Sequence, residues 1–167
     1  MGVFQGSALG PLLFSVFAND LSLYADGATV VQYADDTQVM VTGKKSELSA
    51  LISSLEKSLA SFDKWFSSNA LKANVTKTEL IAFGSRQNLR NLPRFTVKFR
   101  EASLLPSEQV KNLGIFFDKH LTWDSHVDAV SRRSTGTLLG LSHVRHLVPR
   151  GVIVTLVTAL VLTQVRY

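Results

Sequence analysis

The sequence has no cysteine in its 167 residues. Disulfide frameworks and thiolate metal sites are therefore excluded, and the composition suits an intracellular protein. We expect no secretory signal peptide, because the segment after Met1 has no Lys or Arg and its apolar part is interrupted by Pro11, Asn19 and Asp20.

The sequence also lacks a run of about 20 apolar residues, the length that a membrane-spanning helix needs. The best candidate is Val152–Val165, which is 14 residues long and contains three threonines and a glutamine. We therefore predict a buried helix here rather than a membrane span, and no membrane partner.

The remaining composition is that of a globular protein, with 46% hydrophobic and 19% charged residues. The length allows one domain or one and a half. The net charge of +5 favours a polyanionic partner such as nucleic acid, although many unrelated proteins are equally basic.

The first half of the chain predicts a helix, a hairpin and a second helix. Leu12–Leu21 is expected to be helical with Ser7 as N-cap. Thr29–Ala34 and Thr37–Thr42 are rich in β-branched residues and predict a hairpin, whose turn centres on Asp35 and Asp36 or one residue earlier. Apolar residues then recur at three- and four-residue steps over positions 48–66, which predicts a long helix ending near position 69.

The second half predicts short strands followed by helices. Strands are expected at Glu79–Phe83, Phe95–Phe99 and Val110–Phe117, a basic loop at Gly84–Pro93, and two helices from Trp123 onward, separated around residues 149–151. This order indicates an α+β fold, an antiparallel sheet with helices on one face, with a domain boundary near residue 120.

Asp35 and Asp36 are the first candidates for chemistry. Two adjacent carboxylates in a tight turn suit a divalent cation, because hard Mg²⁺ accepts oxygen ligands. Aspartate is also common in turns of every kind, so the pair alone favours an ordinary turn.

Four motifs in order change that balance. They are Gly2–Phe14 with Asn19-Asp20-Leu21; Tyr33-Ala34-Asp35-Asp36-Thr37; Trp65 with Asn69, Leu71, Asn74, Lys77 and Thr78; and Val110–Ile115 with Asp118, Leu121, Trp123 and His126. Together they resemble the reverse transcriptases of non-LTR retrotransposons of the jockey-like kind. The second motif looks like the YADD box of that family.

The resemblance implies a fold and an activity. Residues 1–120 would be part of a polymerase palm, with the catalytic hairpin, and residues 121–167 the truncated start of a helical thumb. The activity would be RNA-directed DNA polymerisation, in which two metal ions assist nucleotidyl transfer to a primer 3′-hydroxyl. The implied partners are an RNA template, a DNA primer and deoxynucleoside triphosphates, with Mg²⁺ as cofactor and Mn²⁺ as an alternative, in the nucleus or cytoplasm.

The resemblance also implies residue roles. Asp35 and Asp36 would bind the metal ions and act in catalysis, together with Lys77 near the triphosphate. The residues that would contact the nucleotide or the template are Gln5, Gly6, Ser7, Tyr33 and Ala34. Leu113 and Gly114 would form the primer grip. The simpler alternatives are a helix-start loop for residues 5–7, a core aromatic for Tyr33 and a solvated lysine for Lys77.

Three departures from the family pattern stand out. The family has a further metal-binding aspartate on a strand before Gly2–Pro11, and no aspartate precedes Asp20 here. We therefore expect this stretch alone to be inactive. Phe4 replaces a usual proline, and Asn112 replaces a usual aromatic residue.

Two alternatives remain open. One is a nucleic-acid-binding module without catalysis; the other is a product without function that does not fold stably. The candidate basic contacts of the first are Lys72, Lys77, Arg86, Arg90, Arg94, Lys98, Arg100, Lys111, Arg132 and Arg133.

Overall fold

The computed structural model describes residues 6–166. Within them the chain divides into two compact units. Unit 1 comprises residues 6–82 and 86–107, and unit 2 comprises residues 83–85 and 108–166.

Unit 1 contains three helices and two hairpins. Its helices are α1 (Gly10–Ala18), α2 (Leu48–Ser68) and α3 (Arg86–Arg90), and its strands are β1 (Thr29–Tyr33), β2 (Asp36–Met40), β3 (Val97–Phe99) and β4 (Ala102–Leu104). Short 3-10 turns lie at Asn19–Tyr24, Lys45–Glu47 and Val75–Lys77.

Unit 2 contains one hairpin followed by helices. Its elements are β5 (Gln109–Asn112), β6 (Ile115–Asp118), α4 (Asp124–Val144), α5 (Arg150–Val157), a π-helical turn (Thr158–Leu162) and α6 (Thr163–Arg166). No helix of the described residues is both long enough and apolar enough to cross a bilayer.

The α+β class is confirmed, but the prediction of one antiparallel sheet is wrong. Within residues 6–166 the strands form three separate two-stranded antiparallel ladders, β1–β2, β3–β4 and β5–β6. Each strand has only three to five residues and pairs with its neighbour in sequence. The predicted strand Glu79–Phe83 is reduced to a single bridge between Leu80 and Pro106.

Helix α2 organises the core of unit 1. Its apolar side chains Leu55, Phe62 and Trp65 are buried, as the three- and four-residue spacing predicts. Phe62 and Trp65 pack in one cluster with Leu21, which is 1% exposed. Helix α2 also contacts strand β3, and the prediction that it ends near position 69 is confirmed by Asn69 at the C-cap.

Two polar contacts attach the 3-10 turn at Asn19–Tyr24 and the residue after it to α2. The fully buried Ser58 hydroxyl donates to the carbonyl oxygen of Ala25 (2.5 Å). The indole Nε1–H of Trp65 donates to Asp20 Oδ1 (3.1 Å). Because both donors lie on the buried side of α2, these bonds fix the position of the chain that leads into β1.

The start of α1 differs from the prediction. Leu9, not Ser7, is the N-cap residue, so the cap assignment is wrong. The Ser7 hydroxyl instead accepts from the Leu9 N–H (3.3 Å), which satisfies a donor one residue before the helix. Pro11 lies in the first turn, where its missing N–H costs no helical hydrogen bond.

The two predicted C-terminal helices are confirmed, with a break between Val144 and Arg150. The predicted burial of Val152–Val165 is wrong, because Val161 alone is buried in that stretch. Within the described residues these helices contact α4, and most of their apolar side chains stay partly or fully exposed.

Candidate metal centre at the β1–β2 turn

The β1–β2 hairpin has a two-residue turn. Tyr33 pairs with Asp36 across the ladder, which leaves Ala34 and Asp35 as the loop. The sequence left two positions open for the centre of this turn. In the structure the turn is centred on Ala34-Asp35, one residue earlier than Asp35-Asp36. Ala34 has a φ of +53°, and a positive φ at the first loop residue matches the turn to the twist of the strands.

Alternation along the hairpin separates a core face from an open face. Val30 and Val39 are paired and pack against the core of unit 1. Tyr33 and Asp36 are paired on the other face, and the Tyr33 residue is 65% exposed. Tyr33 is therefore not a core aromatic, and it is the cross-strand neighbour of Asp36 on the open face.

The carboxylates of Asp35 and Asp36 are both exposed. Neither forms a hydrogen bond or an ion pair within residues 6–166. Turn aspartates usually accept a hydrogen bond from a nearby backbone N–H, and that contact is missing here. The turn thus presents two adjacent negative charges with no compensating partner, an arrangement that fits oxygen ligands for a hard divalent cation.

This pair fits part of a coordination shell. The described part of the chain contains no group of three or more His, Cys, Asp or Glu side chains that could hold a metal ion. Asp35 and Asp36 could therefore supply two carboxylate ligands, with water or further protein groups supplying the others.

Lys77 is positioned by a capped 3-10 turn in the same unit. The Asn74 side-chain oxygen accepts from the Thr76 N–H (3.1 Å), and the Lys77 N–H donates to the Asn74 carbonyl (3.1 Å). The Lys77 residue is exposed, and its ammonium forms no ion pair with Asp35 or Asp36.

The residues predicted to contact template or nucleotide are only partly described. Gln5 lies outside the described residues. Gly6 has a φ of +84° and open space where a side chain would be, a conformation that glycine adopts without strain. Ser7 is half-buried and bonds to Leu9 as described above.

The predicted primer-grip residues form the turn of the β5–β6 hairpin in unit 2. Asn112 pairs with Ile115, so Leu113 and Gly114 are a two-residue loop that divides the predicted strand Val110–Phe117. Their φ values are +47° and +87°, and the type I′ turn requires positive φ at both positions. Both residues are exposed.

Asp118 has a structural role that sequence motifs alone did not assign. Its carboxylate accepts hydrogen bonds from three backbone N–H groups of the turn before α4. The donors are His120 (2.9 Å), Thr122 (3.0 Å) and Trp123 (3.0 Å). Desolvation acts to raise the pKa of Asp118, but these hydrogen bonds outweigh it and hold the pKa below its ordinary value of 3.8.

The ten candidate basic contacts are not equivalent. The Arg100 guanidinium forms an ion pair with Asp63 and donates to the Ala73 carbonyl (3.4 Å), so it is committed to the interior contacts of unit 1. Arg132 donates from Nε to the Asp128 carbonyl (3.3 Å). Arg133 is exposed, and its guanidinium has no such partner within residues 6–166.

The net positive charge of the chain is concentrated after residue 128. The first 128 residues carry thirteen basic and thirteen acidic side chains, and residues 129–167 carry five arginines and no acidic residue. The last 39 residues therefore account for the whole net charge of +5. Such asymmetry favours contact with a polyanion.

Comparison with known proteins decides the family. The model of the reverse transcriptase (RNA-dependent DNA polymerase) family matches residues 1–117. The chain belongs to the reverse transcriptase family. The predicted resemblance is thus confirmed, and the matched stretch includes the β1–β2 turn with Asp35 and Asp36 as well as Leu113 and Gly114.

Individual reverse transcriptases resemble the same region. The chain is 31% identical over 139 residues to the RNA-directed DNA polymerase from mobile element jockey of Drosophila melanogaster, covering 78% of this chain and 14% of that protein. It is 35% identical over 141 residues to the probable RNA-directed DNA polymerase from transposon BS of the same species, covering 79% and 15%.

A third relative is the RNA-directed DNA polymerase from mobile element jockey of Drosophila funebris. It is 29% identical over 137 residues, which cover 77% of this chain and 14% of that protein. The chain therefore spans 14–15% of the length of these three relatives. No solved structure is a significant match to the chain.

Proposed function

We propose that the chain is part of the RNA-directed DNA polymerase of a non-LTR retrotransposon, and that the β1–β2 turn forms part of its metal-binding site. The observation that carries this proposal is the exposed, unpartnered pair Asp35 and Asp36 on a two-residue turn. Membership of the reverse transcriptase family and the names of the relatives support it.

In this proposal the carboxylates of Asp35 and Asp36 would hold Mg²⁺ or Mn²⁺. The bound ions would activate the primer 3′-hydroxyl and stabilise the departing pyrophosphate. The Tyr33 ring, exposed on the same face as Asp36, would support the primer end or the nucleotide sugar. The Lys77 ammonium would neutralise or protonate the pyrophosphate.

The finer division of the chain is part of the same proposal. Residues 1–120 would belong to the palm and residues 121–167 to the start of the thumb. Gln5, Gly6 and Ser7 would contact the template and the incoming nucleotide. The exposed β5–β6 turn at Leu113 and Gly114 would grip a DNA primer annealed to an RNA template.

The metal site is tested by titrating the isotope-labelled chain with Mn²⁺ and following paramagnetic broadening of its amide NMR signals. We expect broadening centred on residues 33–37, and at least tenfold weaker binding in Asp35→Asn and Asp36→Asn, because each loses a charged ligand. Asp26→Asn is the matched control, since Asp26 is an exposed turn aspartate at the other end of β1. Broadening that Asp35→Asn leaves unchanged would contradict the proposal.

We further propose that residues 1–167 alone do not extend a primer. Two carboxylates on one turn approach a cation from one side, and a two-ion site needs ligands from two directions. Incubation with a primed RNA template, deoxynucleoside triphosphates and Mg²⁺ should leave the primer length unchanged. Extension that Asp35→Asn abolishes would overturn the claim of inactivity and retain the metal site.

A second candidate function is nucleic-acid binding without catalysis. The concentration of all the net positive charge in residues 129–167 favours it. Binding driven by phosphate contacts weakens steeply between about 50 and 200 mM salt, so an affinity that stays constant over that range would exclude this candidate. Binding that persists in Asp35→Asn without any metal would support it.

A further inference from the structure

The turn between β6 and α4 contains two residues in a backbone conformation that side chains disfavour. Leu121 and Trp123 have φ values of +55° and +67°. Residues other than glycine rarely adopt a positive φ, because the β-carbon then comes close to the following carbonyl oxygen. Such strain persists only where the surrounding structure holds it in place. The turn therefore needs contacts that oppose its relaxation.

The Asp118 carboxylate supplies these contacts. One of its three backbone donors is the N–H of the strained Trp123, and the other two, His120 and Thr122, stand on either side of the strained Leu121. The Thr122 hydroxyl donates to the same carboxylate (3.2 Å). A charged acceptor makes stronger hydrogen bonds than a neutral one, so the charge of Asp118 holds both strained residues in their left-handed conformation.

Trp123 connects the turn to the elements on both sides of it. Its ring lies 5.3 Å from the Phe117 ring of β6, centre to centre. Its carbonyl accepts from the Val127 N–H (2.9 Å), and Trp123 is the N-cap residue of α4. A change in its backbone conformation would therefore change the direction in which α4 leaves the hairpin.

Side-chain packing leaves this direction incompletely fixed. Strand β6 contacts α4, but a groove of about 250 Å³ is lined by Gly114 and Phe116 of the hairpin and by His126 and Ala129 of α4. An unfilled groove lacks the close contacts by which a packed interior fixes the position of its elements. The helices after Arg150 contact α4, so they follow its direction. The turn is thus the main constraint between the hairpin and the helices.

We propose that Asp118 is a positioning residue, whose carboxylate sets the angle between the β5–β6 hairpin and α4. Leu113 and Gly114 lie at the opposite end of the short β5–β6 ladder, which carries this orientation to them. The inference rests on the proposed function, in which that turn grips the primer, and Asp118 then places the grip without touching the primer. Water can bond the N–H groups that loss of the carboxylate releases, so the loss changes the angle more than the stability.

The absence of cysteine allows the angle to be measured with spin labels at two introduced cysteines. Lys111→Cys on β5 and Ser142→Cys near the end of α4 are both at exposed positions. Pulsed electron paramagnetic resonance on the full chain should give one narrow distribution of distances between them. Adding Asp118→Asn should widen this distribution about twofold or more, because the turn then relaxes among several conformations. An unchanged distribution would overturn the proposal even if the free energy of unfolding fell, because Asp118 would then have a structural role only.

Asp124→Asn is the matched control, because it removes a charge next to the same turn. The Asp124 carboxylate accepts from the Thr122 hydroxyl (3.0 Å) and from no backbone N–H group within residues 6–166. We therefore expect this variant to leave the distribution unchanged. Equal widening by Asp124→Asn and Asp118→Asn would overturn the proposal, since loss of any charge at the start of α4 would then be sufficient.

Leu121→Gly tests whether backbone strain is what the carboxylate opposes. Glycine adopts a φ of +55° without the cost that a β-carbon adds, so Leu121→Gly should narrow the distribution again when it is combined with Asp118→Asn. Failure to narrow it would overturn the proposal. Labels at Val127 and Ser142 both lie on α4, and a changed distance between them would show that Asp118→Asn unfolds the helix. In that case the double variant should recover both distances, and recovery of neither would overturn the proposal.

This proposal and the metal site can fail separately. The spin-label measurement uses no metal ion and no nucleic acid, so its failure leaves the metal site at Asp35 and Asp36 intact. Failure of the Mn²⁺ titration would remove that site and leave the role of Asp118 in the β6–α4 turn unchanged.

Discussion

The two units differ in how well they bury their apolar side chains. Eight of the nine buried apolar residues in the described part of the chain belong to unit 1, and Val161 is the one in unit 2. In unit 1 the apolar stripe of α2 meets partners on two sides, the Asn19–Tyr24 turn and strand β3. In unit 2 the helices after Arg150 are more apolar than α2 but have α4 as their main partner.

The difference shows that burial depends on available partner surface as well as on segment hydrophobicity. The stretch Val152–Val165 is strongly apolar, yet Val154 and Val165 are 57% and 62% exposed. The candidate metal site stands on the better-packed unit, so its turn has a rigid support.

Each unit contains one tryptophan, so the comparison can be measured directly. Trp65 is buried in unit 1, and Trp123 is partly exposed in unit 2. With Trp123→Phe the emission of Trp65 reports unit 1, and with Trp65→Phe the emission of Trp123 reports unit 2.

The largest effect is expected for truncation in the core of unit 1. Phe62→Ala should lower the free energy of unfolding of unit 1 by about 3–5 kcal/mol, because it leaves a cavity beneath α2. Val161→Ala in unit 2 removes two carbons rather than six and should cost roughly 1–2 kcal/mol. Val97→Ala in unit 1 is the size-matched reference and should cost more than Val161→Ala, because Val97 is 1% exposed on the strand that contacts α2. Denaturant titrations followed by the reporter tryptophan of each unit give these values. Equal losses in the free energy of unfolding would contradict the difference in core packing between the two units.

The next effect concerns the hydrogen bond between Asp20 and Trp65. Asp20→Ala should cost about 1–2 kcal/mol in unit 1, because the shielded indole N–H loses its acceptor. Asp35→Ala is the control, since the Asp35 carboxylate has no hydrogen bond within residues 6–166, and it should change stability by less than about 0.5 kcal/mol. A cost for Asp20→Ala no greater than for the control would mean that the bond contributes nothing.

Local periodicity was sufficient to predict some features. The spacing of Leu55, Phe62 and Trp65 predicted both α2 and its buried face, because a helix repeats every 3.6 residues. The hairpin around Asp35 and Asp36 was predictable from two β-branched runs that flank a short polar interval.

Features that depend on residues far apart in sequence were not predictable. The hydrogen bond between Asp20 and Trp65 joins positions 45 residues apart, and neither residue type predicts this partner. The separation of the strands into three ladders depends on tertiary placement that strand propensity does not contain. The π turn at Thr158–Leu162 was not predictable either, because the sequence has no known signal for such a turn.

A smaller effect, of opposite sign, is expected at the β1–β2 turn. Ala34→Gly should stabilise unit 1 by about 0.5–1 kcal/mol, because glycine adopts a φ of +53° without the cost that a β-carbon adds there. Ala60→Gly, on the exposed side of α2, should destabilise by about 1 kcal/mol. Both variants replace alanine with glycine. Changes of opposite sign in the free energy of unfolding would therefore come from the different backbone conformations at the two positions. Destabilisation by both would mean that the Ala34 turn is not strained.

The smallest effect is expected for titration of Asp118 in unit 2, because water can replace the hydrogen bonds of an exposed turn. The folded-state pKa of this carboxyl lies below its ordinary value of 3.8, so folding favours the charged form. The stability that it contributes is therefore present above about pH 4 and is lost as the pH falls through the folded-state pKa.

Comparison of the wild type with Asp118→Asn tests this pH dependence through the emission of Trp123. At pH 6 the variant should be less stable, since the neutral amide is a weaker acceptor for the backbone N–H groups that begin α4. The gap should narrow as the pH is lowered from 5 to 3, because protonation makes the wild-type side chain neutral as well. Asp128→Asn, whose carboxylate has no hydrogen bond within the described chain, should show no such narrowing. If the difference in stability between the wild type and Asp118→Asn did not change with pH, the effect of the substitution would come from side-chain shape rather than charge. The ionisation of Asp118 would then not contribute to the stability of unit 2.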